Sequence, residues 1–181
     1  MQLLVYILIY PILWIISILP FPIFYLLSDF IYFITYYIIG YRKKVVRANI
    51  KLALPHLSEA ERLKIEKKFY SHMCDMFLEM IKTISISQKE IEKRFTFSNM
   101  EVYYDLEKKN KSIALMCAHY ASYEWVVSMN YHIHCKGIGI YKKLANPYFD
   151  KLVKRIRSKF KAELITTKET IPTIADNHKN N

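Results

Sequence analysis

Residues 113–125 read Ile113-Ala-Leu-Met-Cys-Ala-His119-Tyr-Ala-Ser-Tyr-Glu124-Trp125. The first five are apolar and favour a buried β-strand that starts at Ser112 and ends at Cys117. Ser122 is a residue type that caps helices, so a helix is predicted over residues 122–133. One histidine and one glutamate therefore lie in the turn and first helical residues that follow a strand.

An alternation of strands and helices continues from this stretch. Apolar runs predict strands at 137–141 and 164–167, and a helix at 147–160 begins with the cap pair Asn146-Pro147. The predicted fold class is α/β, with a β-α-β-α-β parallel sheet and right-handed crossovers. Three strands leave an edge unpaired, so we expect this sheet to be incomplete and the chain to be truncated at its carboxyl end.

Upstream of the sheet, residues 46–110 form a predicted helical region. Ser58 and Glu61 have the spacing of a capping box, and a long amphipathic helix is predicted over 57–81. Its apolar stripe is expected to face the core, and two short helices follow at 90–94 and 101–109. The stripe consists of Leu63, Ile65, Phe69, Met73, Met76, Phe77, Met80 and Ile81.

Residues 1–45 are predicted to be a membrane anchor. The first 41 residues carry one charge, Asp29, and the apolar run 3–19 would span about 26 Å as a helix, slightly less than a bilayer core. Pro11 predicts a kink in this helix, and the tyrosine-rich run 30–41 is typical of a membrane interface. The alternative is a core helix of a soluble protein.

The charge balance indicates an anionic partner. The formal net charge is +11, the pI is near 9.4, and basic residues cluster directly after the apolar N-terminus, at 42–51. Nucleic acid, anionic lipid and an acidic carrier or substrate all fit a basic protein, but the adjacent membrane-like segment favours lipid. We therefore expect contact with inner-membrane lipids, a body on the cytoplasmic side, and no nucleic acid.

The cysteine and histidine spacings do not predict a metal site. Cys74, Cys117 and Cys135 show no C-x-x-C spacing and are interpreted as reduced core thiols. His132 and His134 precede Cys135, but no further ligand lies at a suitable spacing. We expect neither a metal nor another cofactor, and residues 111–181 are assigned to one partial α/β core domain.

His119 and Glu124 form the candidate catalytic pair. The carboxyl ends of strands in open parallel sheets are where ligands bind, and a glutamate in the first helical turn stays ionised. Such a glutamate can orient an imidazole, whose other nitrogen then deprotonates a hydroxyl group. The alternative is structural: a hydrogen-bonded histidine at a strand end followed by an ordinary first-turn acid.

Four segments together carry a family resemblance. They are the apolar N-terminus, the segment Arg47-Ala-Asn-Ile with the later Leu-Pro-His-Leu-Ser-Glu, the block Ala-His119-Tyr-Ala-Ser-Tyr-Glu124-Trp, and Ile-Tyr141-Lys-Lys-Leu-Ala-Asn146-Pro-Tyr. The block that contains His119 and Glu124 resembles the H-x4-D/E motif of the lysophospholipid acyltransferase superfamily. The whole set resembles the late lipid A acyltransferases of Gram-negative bacteria, of the lauroyl and myristoyl type, over essentially the entire chain.

The resemblance implies transfer of a fatty acyl group from acyl carrier protein or acyl-CoA to a hydroxyl of a lipid A precursor, for lipopolysaccharide synthesis at the inner membrane. It assigns His119 as general base and Glu124 as its partner. It also implies substrate binding by Tyr141, Lys142, Lys143 and Asn146. The family usually has arginine at the position of Lys142. The lysine keeps the positive charge but lacks the guanidinium fork.

Two alternatives remain from the sequence. In the first alternative, the protein acylates a different glycolipid or a phospholipid. The second is a truncated, non-catalytic protein that binds membranes and lipid, because family members continue past Asn181 with a later motif that contains Gly and Asp.

Overall fold

A computed structural model describes residues 1–179 of the 181-residue chain. In chain order the elements are α1 (Gln2–Ile18), α2 (Phe21–Phe33), a π-helix (Ile34–Ile39), α3 (Lys43–Ala53), α4 (Glu59–Lys82), α5 (Gln88–Arg94), α6 (Met100–Lys108), a 3₁₀-helix (Tyr123–Tyr131), β1 (Ile138–Tyr141), α7 (Pro147–Ser158), β2 (Glu163–Thr166) and α8 (Thr170–Lys179). The chain is mostly helical, and its division into 1–45, 46–110 and 111–181 stays a prediction.

The sheet of the described residues has two parallel strands. Strand β1 pairs with β2 in a register that runs from Ile138 opposite Glu163 to Tyr141 opposite Thr166. Helix α7 makes the crossover between them, which parallel strands require. The second half of the predicted β-α-β-α-β arrangement is therefore confirmed.

The first predicted strand is not formed, so the full β-α-β-α-β arrangement is not observed. Residues 111–118 have no regular secondary structure, and the side chains from Ala114 to Tyr120 are exposed. An apolar run favours a strand only where a neighbouring strand takes up its backbone hydrogen bonds. Among the described residues, no strand pairs with residues 112–117, so the prediction of a strand there is wrong.

The predicted helix 122–133 is a 3₁₀-helix, and its predicted cap is absent. Ser122 precedes the helix, but its side chain makes no capping hydrogen bond. Its hydroxyl group instead donates to Glu79 on helix α4. Aromatic and β-branched residues, among them Trp125, Val126 and Val127, favour an α-helix weakly, and tertiary contacts decide the geometry here.

The apolar N-terminus folds as two helical segments. Helix α1 continues through Pro11 and ends at Ile18, and Pro20 lies at the start of α2. Helix α2 continues into the π-helix, which ends at Gly40, a residue with φ of +65°. Glycine adopts this left-handed conformation without steric cost. The continuous stretch Phe21–Ile39 has a mean hydropathy of 1.5 and is long and apolar enough to cross a membrane.

Helix α4 begins as predicted but buries a different face. Ser58 and Glu61 form the capping box, with each side chain bonded to the backbone of the other residue. The buried apolar residues are Tyr70, Cys74 and Leu78. Within the predicted core stripe, Leu63, Phe69 and Phe77 are exposed. The inward face is chosen by contact with α2, and hydrophobicity alone does not identify that face.

A small core lies beside the candidate site. Ile86, Ile91, Trp125 and Phe160 pack together, with partly buried neighbours that include Phe21. These residues come from the α4–α5 connection, helix α5, the 3₁₀-helix and the turn that follows α7. The core therefore joins the N-terminal helices to the segment that follows His119.

Candidate active site

Tight turns shape the loop between His119 and Glu124. The amide of Tyr120 donates to the carbonyl of Ala118, and the amide of Tyr123 donates to the carbonyl of Ala121, each at 2.9 Å. Ala121 has φ of +50°, a left-handed conformation that costs about 1–2 kcal/mol for a residue with a Cβ. Surrounding contacts must compensate for this strain, and strain of this kind is concentrated at functional sites.

The imidazole of His119 lies on the surface and is held by an aromatic ring. It stacks on the ring of Tyr123, with centroids 4.1 Å apart and planes at 8°. Burial, followed by the nearby Glu124 carboxylate, raises the pKa of Tyr123 and keeps its phenol neutral. Stacking leaves the nitrogen edge of the imidazole open, because that edge lies in the plane of the ring. His119 is therefore accessible to a substrate hydroxyl group.

The carboxylate of Glu124 is held from helix α7. Arg157 Nη2 donates to Glu124 Oε1 at 2.6 Å, and Arg157 Nε donates to Oε2 at 3.0 Å. The two side chains are 26% and 11% exposed. A two-point pair of this kind fixes the plane of the carboxylate as well as its charge. Arg157 lies in the helix predicted at 147–160, and the sequence did not identify it as a partner of Glu124.

The structure places His119 and Glu124 close together in the chain, at the two ends of one turn. Among the described residues, no hydrogen bond joins their side chains. A carboxylate offers about four acceptor positions, and Arg157 occupies two of them. Glu124 thus keeps acceptor capacity for an imidazole N–H. Its orienting role toward His119 stays a prediction.

Glu79 is a site residue that the sequence analysis missed. It is buried on helix α4, where its Oε1 accepts from the hydroxyl of Tyr25 at 2.8 Å and its Oε2 accepts from the hydroxyl of Ser122. One carboxylate thus joins α2, α4 and the loop of His119. A signal was present in the sequence, since Glu79 is the one charged residue in the otherwise apolar run 76–81.

A second buried contact fixes the start of the 3₁₀-helix. The indole N–H of Trp125 donates to Thr83 Oγ1 at 3.0 Å, and that hydroxyl donates to the carbonyl of Glu79 at 2.9 Å. The ammonium of Lys159 donates to the carbonyls of Thr83 and Ile84, both at 3.3 Å. Burial lowers the pKa of Lys159. The loop of His119 is therefore anchored at both Ser122 and Trp125.

The predicted substrate-binding segment divides into buried and exposed residues. Tyr141 is buried, and its hydroxyl donates to Asp150 Oδ2 at 3.3 Å. Burial, followed by the Asp150 carboxylate, raises the pKa of Tyr141. Asn146 caps α7 by accepting from the amide of Tyr148 at 3.0 Å. These two residues shape the loop, and Lys142 and Lys143 are exposed to solvent.

The cysteines differ from the prediction of core thiols. All three are free, but only Cys74 is buried, and Cys117 and Cys135 are exposed. The hydroxyl of Tyr103 lies 2.7 Å from Cys135 Sγ, and His134 Nδ1 lies 2.9 Å from the Glu107 carboxylate. Among the side chains that the structure describes, no three His, Cys, Asp or Glu residues are placed to hold a metal ion.

Replacing Glu79 by leucine is expected to loosen the loop of His119. The hydroxyls of Tyr25 and Ser122 lose a charged acceptor, which is worth about 1.5–3 kcal/mol for a hydrogen bond of this kind. Amide hydrogen exchange should increase locally in residues 118–124, and Glu79→Gln should restore most of the protection. Glu59→Leu, on the exposed first turn of α4, is the matched control. Unchanged exchange in 118–124 would show that Glu79 does not hold the loop.

Comparisons with known proteins find a matching family and a curated relative. The profile of a family described as bacterial lipid A biosynthesis acyltransferase matches residues 1–181. The lipid A biosynthesis lauroyltransferase of Escherichia coli (strain K12) is 26% identical over 141 residues, which are 78% of this chain and 46% of that protein. The matched segment thus covers less than half the length of this relative. No solved structure gives a significant match.

Proposed function

Because this chain belongs to the bacterial lipid A biosynthesis acyltransferase family, we propose that it takes part in moving a fatty acyl group from a thioester to a hydroxyl of a lipid A precursor. The proposed donor is acyl carrier protein or acyl-CoA. The observation that carries the proposal is the match over residues 1–181, together with an imidazole at His119 that is exposed at the surface.

The proposed reaction needs one base and one acceptor hydroxyl. His119 removes the hydroxyl proton as the oxygen attacks the thioester carbonyl, the new ester bond forms, and the carbon–sulfur bond breaks. The imidazolium then returns its proton to the departing thiolate. Glu124 stabilises the imidazolium by its negative charge, and Arg157 holds that carboxylate in place through two hydrogen bonds.

The exposed cations are proposed to bind the anionic groups of the two substrates. Lys142 and Lys143 follow strand β1, and Lys151, Lys154 and Arg155 continue on the outer side of α7. Phosphates of a lipid A precursor and the acidic surface of a carrier protein both carry the complementary charge. A lysine at position 142 binds a phosphate as a point charge, without the planar fork of arginine.

The membrane location belongs to the same proposal. The family acts in lipid A biosynthesis, and the N-terminal helices leave large apolar side chains exposed. We place the protein at the inner membrane with its basic body in the cytoplasm, where anionic headgroups attract it. This location brings His119 to an acceptor that is itself a membrane lipid.

The alternatives are separated by an assay of the protein expressed from its gene. Membranes that contain it are incubated with a radiolabelled acyl carrier protein thioester and a lipid A precursor, and the products are identified by mass spectrometry. An added acyl chain, ester-linked to the precursor, is the expected result. Labelling of a phospholipid or another glycolipid instead would reassign the acceptor. Lipid binding without any transfer would support the non-catalytic alternative.

A further inference from the structure

Tyr123 connects the two residues of the candidate catalytic pair. It directly precedes Glu124 in the chain, and its ring stacks on the imidazole of His119, with centroids 4.1 Å apart and planes at 8°. The ring of Tyr123 is half-buried, whereas the imidazole is exposed. The imidazole therefore has a protein contact on one of its faces, and Tyr123 sets the orientation of that face.

Tight turns bring the two rings together. An extended chain would place the Cα atoms of residues four positions apart about 13 Å from each other. Here the amides of Tyr120 and Tyr123 each donate to a carbonyl two residues earlier, and Ala121 lies between them with φ of +50°. A residue with a Cβ is strained in this conformation and keeps it only where surrounding contacts determine it. The reversal of the chain at Ala121 allows Tyr123 to reach His119.

The surrounding contacts come from the end of helix α4. On one side of Tyr123, the hydroxyl of Ser122 donates to Glu79, and on the other side the indole N–H of Trp125 donates to Thr83 Oγ1 at 3.0 Å. Both acceptor residues are buried. The position of Tyr123 is therefore fixed by the body of the protein, and its ring transmits that constraint to the exposed imidazole.

A fixed ring plane is useful to a general base. The torsion that turns the histidine ring about its bond to Cβ is broad, so an exposed imidazole without a contact on its face takes many orientations. Stacking on Tyr123 keeps only those orientations in which the two planes are parallel. Proton transfer requires a ring nitrogen within hydrogen-bond reach of the reacting hydroxyl group. A restricted plane therefore increases the fraction of time that the nitrogen edge of His119 is correctly placed.

The ring face also suits the protonated form of His119. A cation within about 6 Å of the centroid of a tyrosine ring is attracted to the negative face of that ring. The imidazolium that forms during the proposed reaction would lie at 4.1 Å from the centroid. Burial, followed by the Glu124 carboxylate, raises the pKa of Tyr123, so its phenol stays neutral and does not compete as a base. Tyr123 thus contributes the face of its ring and not its hydroxyl proton.

We propose that Tyr123 is a positioning residue for acyl transfer: its ring fixes the plane of the His119 imidazole and leaves the nitrogen edge open to the acceptor hydroxyl group. The catalytic consequence rests on the proposed function, whereas the fixed plane does not. The requirement at position 123 is for an aromatic ring. A phenyl ring meets this requirement, and an aliphatic side chain of similar volume does not.

The stack itself is tested by NMR of the full chain in detergent micelles with ¹³C-labelled histidine. Protons above an aromatic face are shielded by its ring current, so the His119 signal, identified by its loss in His119→Gln, should lie upfield. Tyr123→Leu should move this signal downfield to the position of an exposed histidine, and Tyr123→Phe should leave it in place. Tyr120→Leu, the same change at an 83% exposed ring in the same turn, is the control and should not move it. An unmoved signal in Tyr123→Leu would overturn the proposal.

The catalytic consequence is tested by initial rates of acyl transfer, with donor and acceptor concentrations varied in turn. Tyr123→Leu should lower kcat at least about tenfold and leave both KM values unchanged, since a misplacement of about 1 Å can cost about 10²-fold. Tyr123→Phe and Tyr120→Leu should keep most of the rate. A loss in Tyr123→Phe as large as in Tyr123→Leu, or a change in KM alone, would overturn the proposal. Absence of transfer in the unmodified protein would instead refute the proposed function, and the NMR signal of His119 would still decide whether Tyr123 fixes the ring.

Discussion

Replacement of His119 by alanine is expected to lower acyl transfer by about 10²–10⁴-fold, the usual contribution of a general base. The imidazole is exposed at the surface, and its stacking on Tyr123 leaves both nitrogens at an open edge. Alanine removes the proton acceptor, and it also removes the stacking partner of Tyr123. His119→Gln keeps a planar polar group and still lacks basicity, so its loss of activity should match that of alanine.

The measurement is transfer of a labelled acyl chain from an acyl thioester, with thermal unfolding recorded for each variant. His72→Ala is the matched control, because His72 is exposed on α4 and lies outside the His119 loop. It should keep full activity. Activity of His119→Ala within threefold of the unmodified protein, at equal stability, would remove His119 from the mechanism. Equal losses at His72 and His119 would show that the assay reports folding rather than base catalysis.

Replacement of Arg157 by methionine is expected to destabilise the protein and to reduce acyl transfer together. Methionine leaves the Glu124 carboxylate, 11% exposed, without its two N–H donors. Breaking a buried pair costs about 3–5 kcal/mol, and this partly exposed pair should cost about 2–3 kcal/mol. The loss arises chiefly from the unpaired carboxylate, so Glu124→Gln in the same chain should recover part of the stability.

A double-mutant cycle measures the interaction free energy between Arg157 and Glu124 separately from the other effects of changing helix α7. Unfolding free energies are compared for Arg157→Met, Glu124→Gln and both together, and a coupling of more than about 1 kcal/mol is expected for a direct pair. Arg157→Lys keeps the charge without the fork and should give an intermediate activity. Arg155→Met, an exposed position on the same helix, is the control for the unfolding measurements. Additive effects at 157 and 124 would show that the observed pair contributes nothing.

The two experiments also test whether Glu124 orients the imidazole of His119. If Glu124 orients His119, Glu124→Gln should lower acyl transfer in a protein that is otherwise stable. If Glu124 serves only to hold α7 against the loop, the activity should follow stability across all the Arg157 and Glu124 variants. The two outcomes differ in one readout, the activity of Glu124→Gln at a temperature where its folded fraction is unchanged.

Part of the fold follows from local sequence. The capping box at Ser58 and Glu61 and the cap of Asn146 on α7 were predicted, because each depends on neighbours within a few residues. The apolar N-terminus was predicted as helical for the same reason. Strands β1 and β2 were predicted from their apolar runs, and they form because each finds the other as its partner. The family resemblance drawn from the block around His119 is confirmed by the match over the whole chain.

Other predictions failed where a distant partner decides the result. Ser122 was expected to cap a helix, but its hydroxyl finds Glu79, which lies on another helix. The stripe of α4 was expected to face the core, but Phe69 and Phe77 are exposed and the acids Glu66 and Glu79 are buried. The hydroxyl groups of Tyr25 and Tyr36 donate hydrogen bonds to Glu79 and Glu66, and no local sequence pattern predicts such contacts.

The stretch from Ile113 to Trp125 shows where the limit lies. Its sequence alone determined that an apolar run leads to a histidine and, five residues later, a glutamate, because composition and spacing are properties of the chain itself. Only the tertiary structure decided that 112–117 has no strand neighbour, that Tyr123 supports the imidazole, and that Arg157 holds Glu124. A strand and an ion pair each need a second partner, and folding brings that partner from elsewhere in the chain.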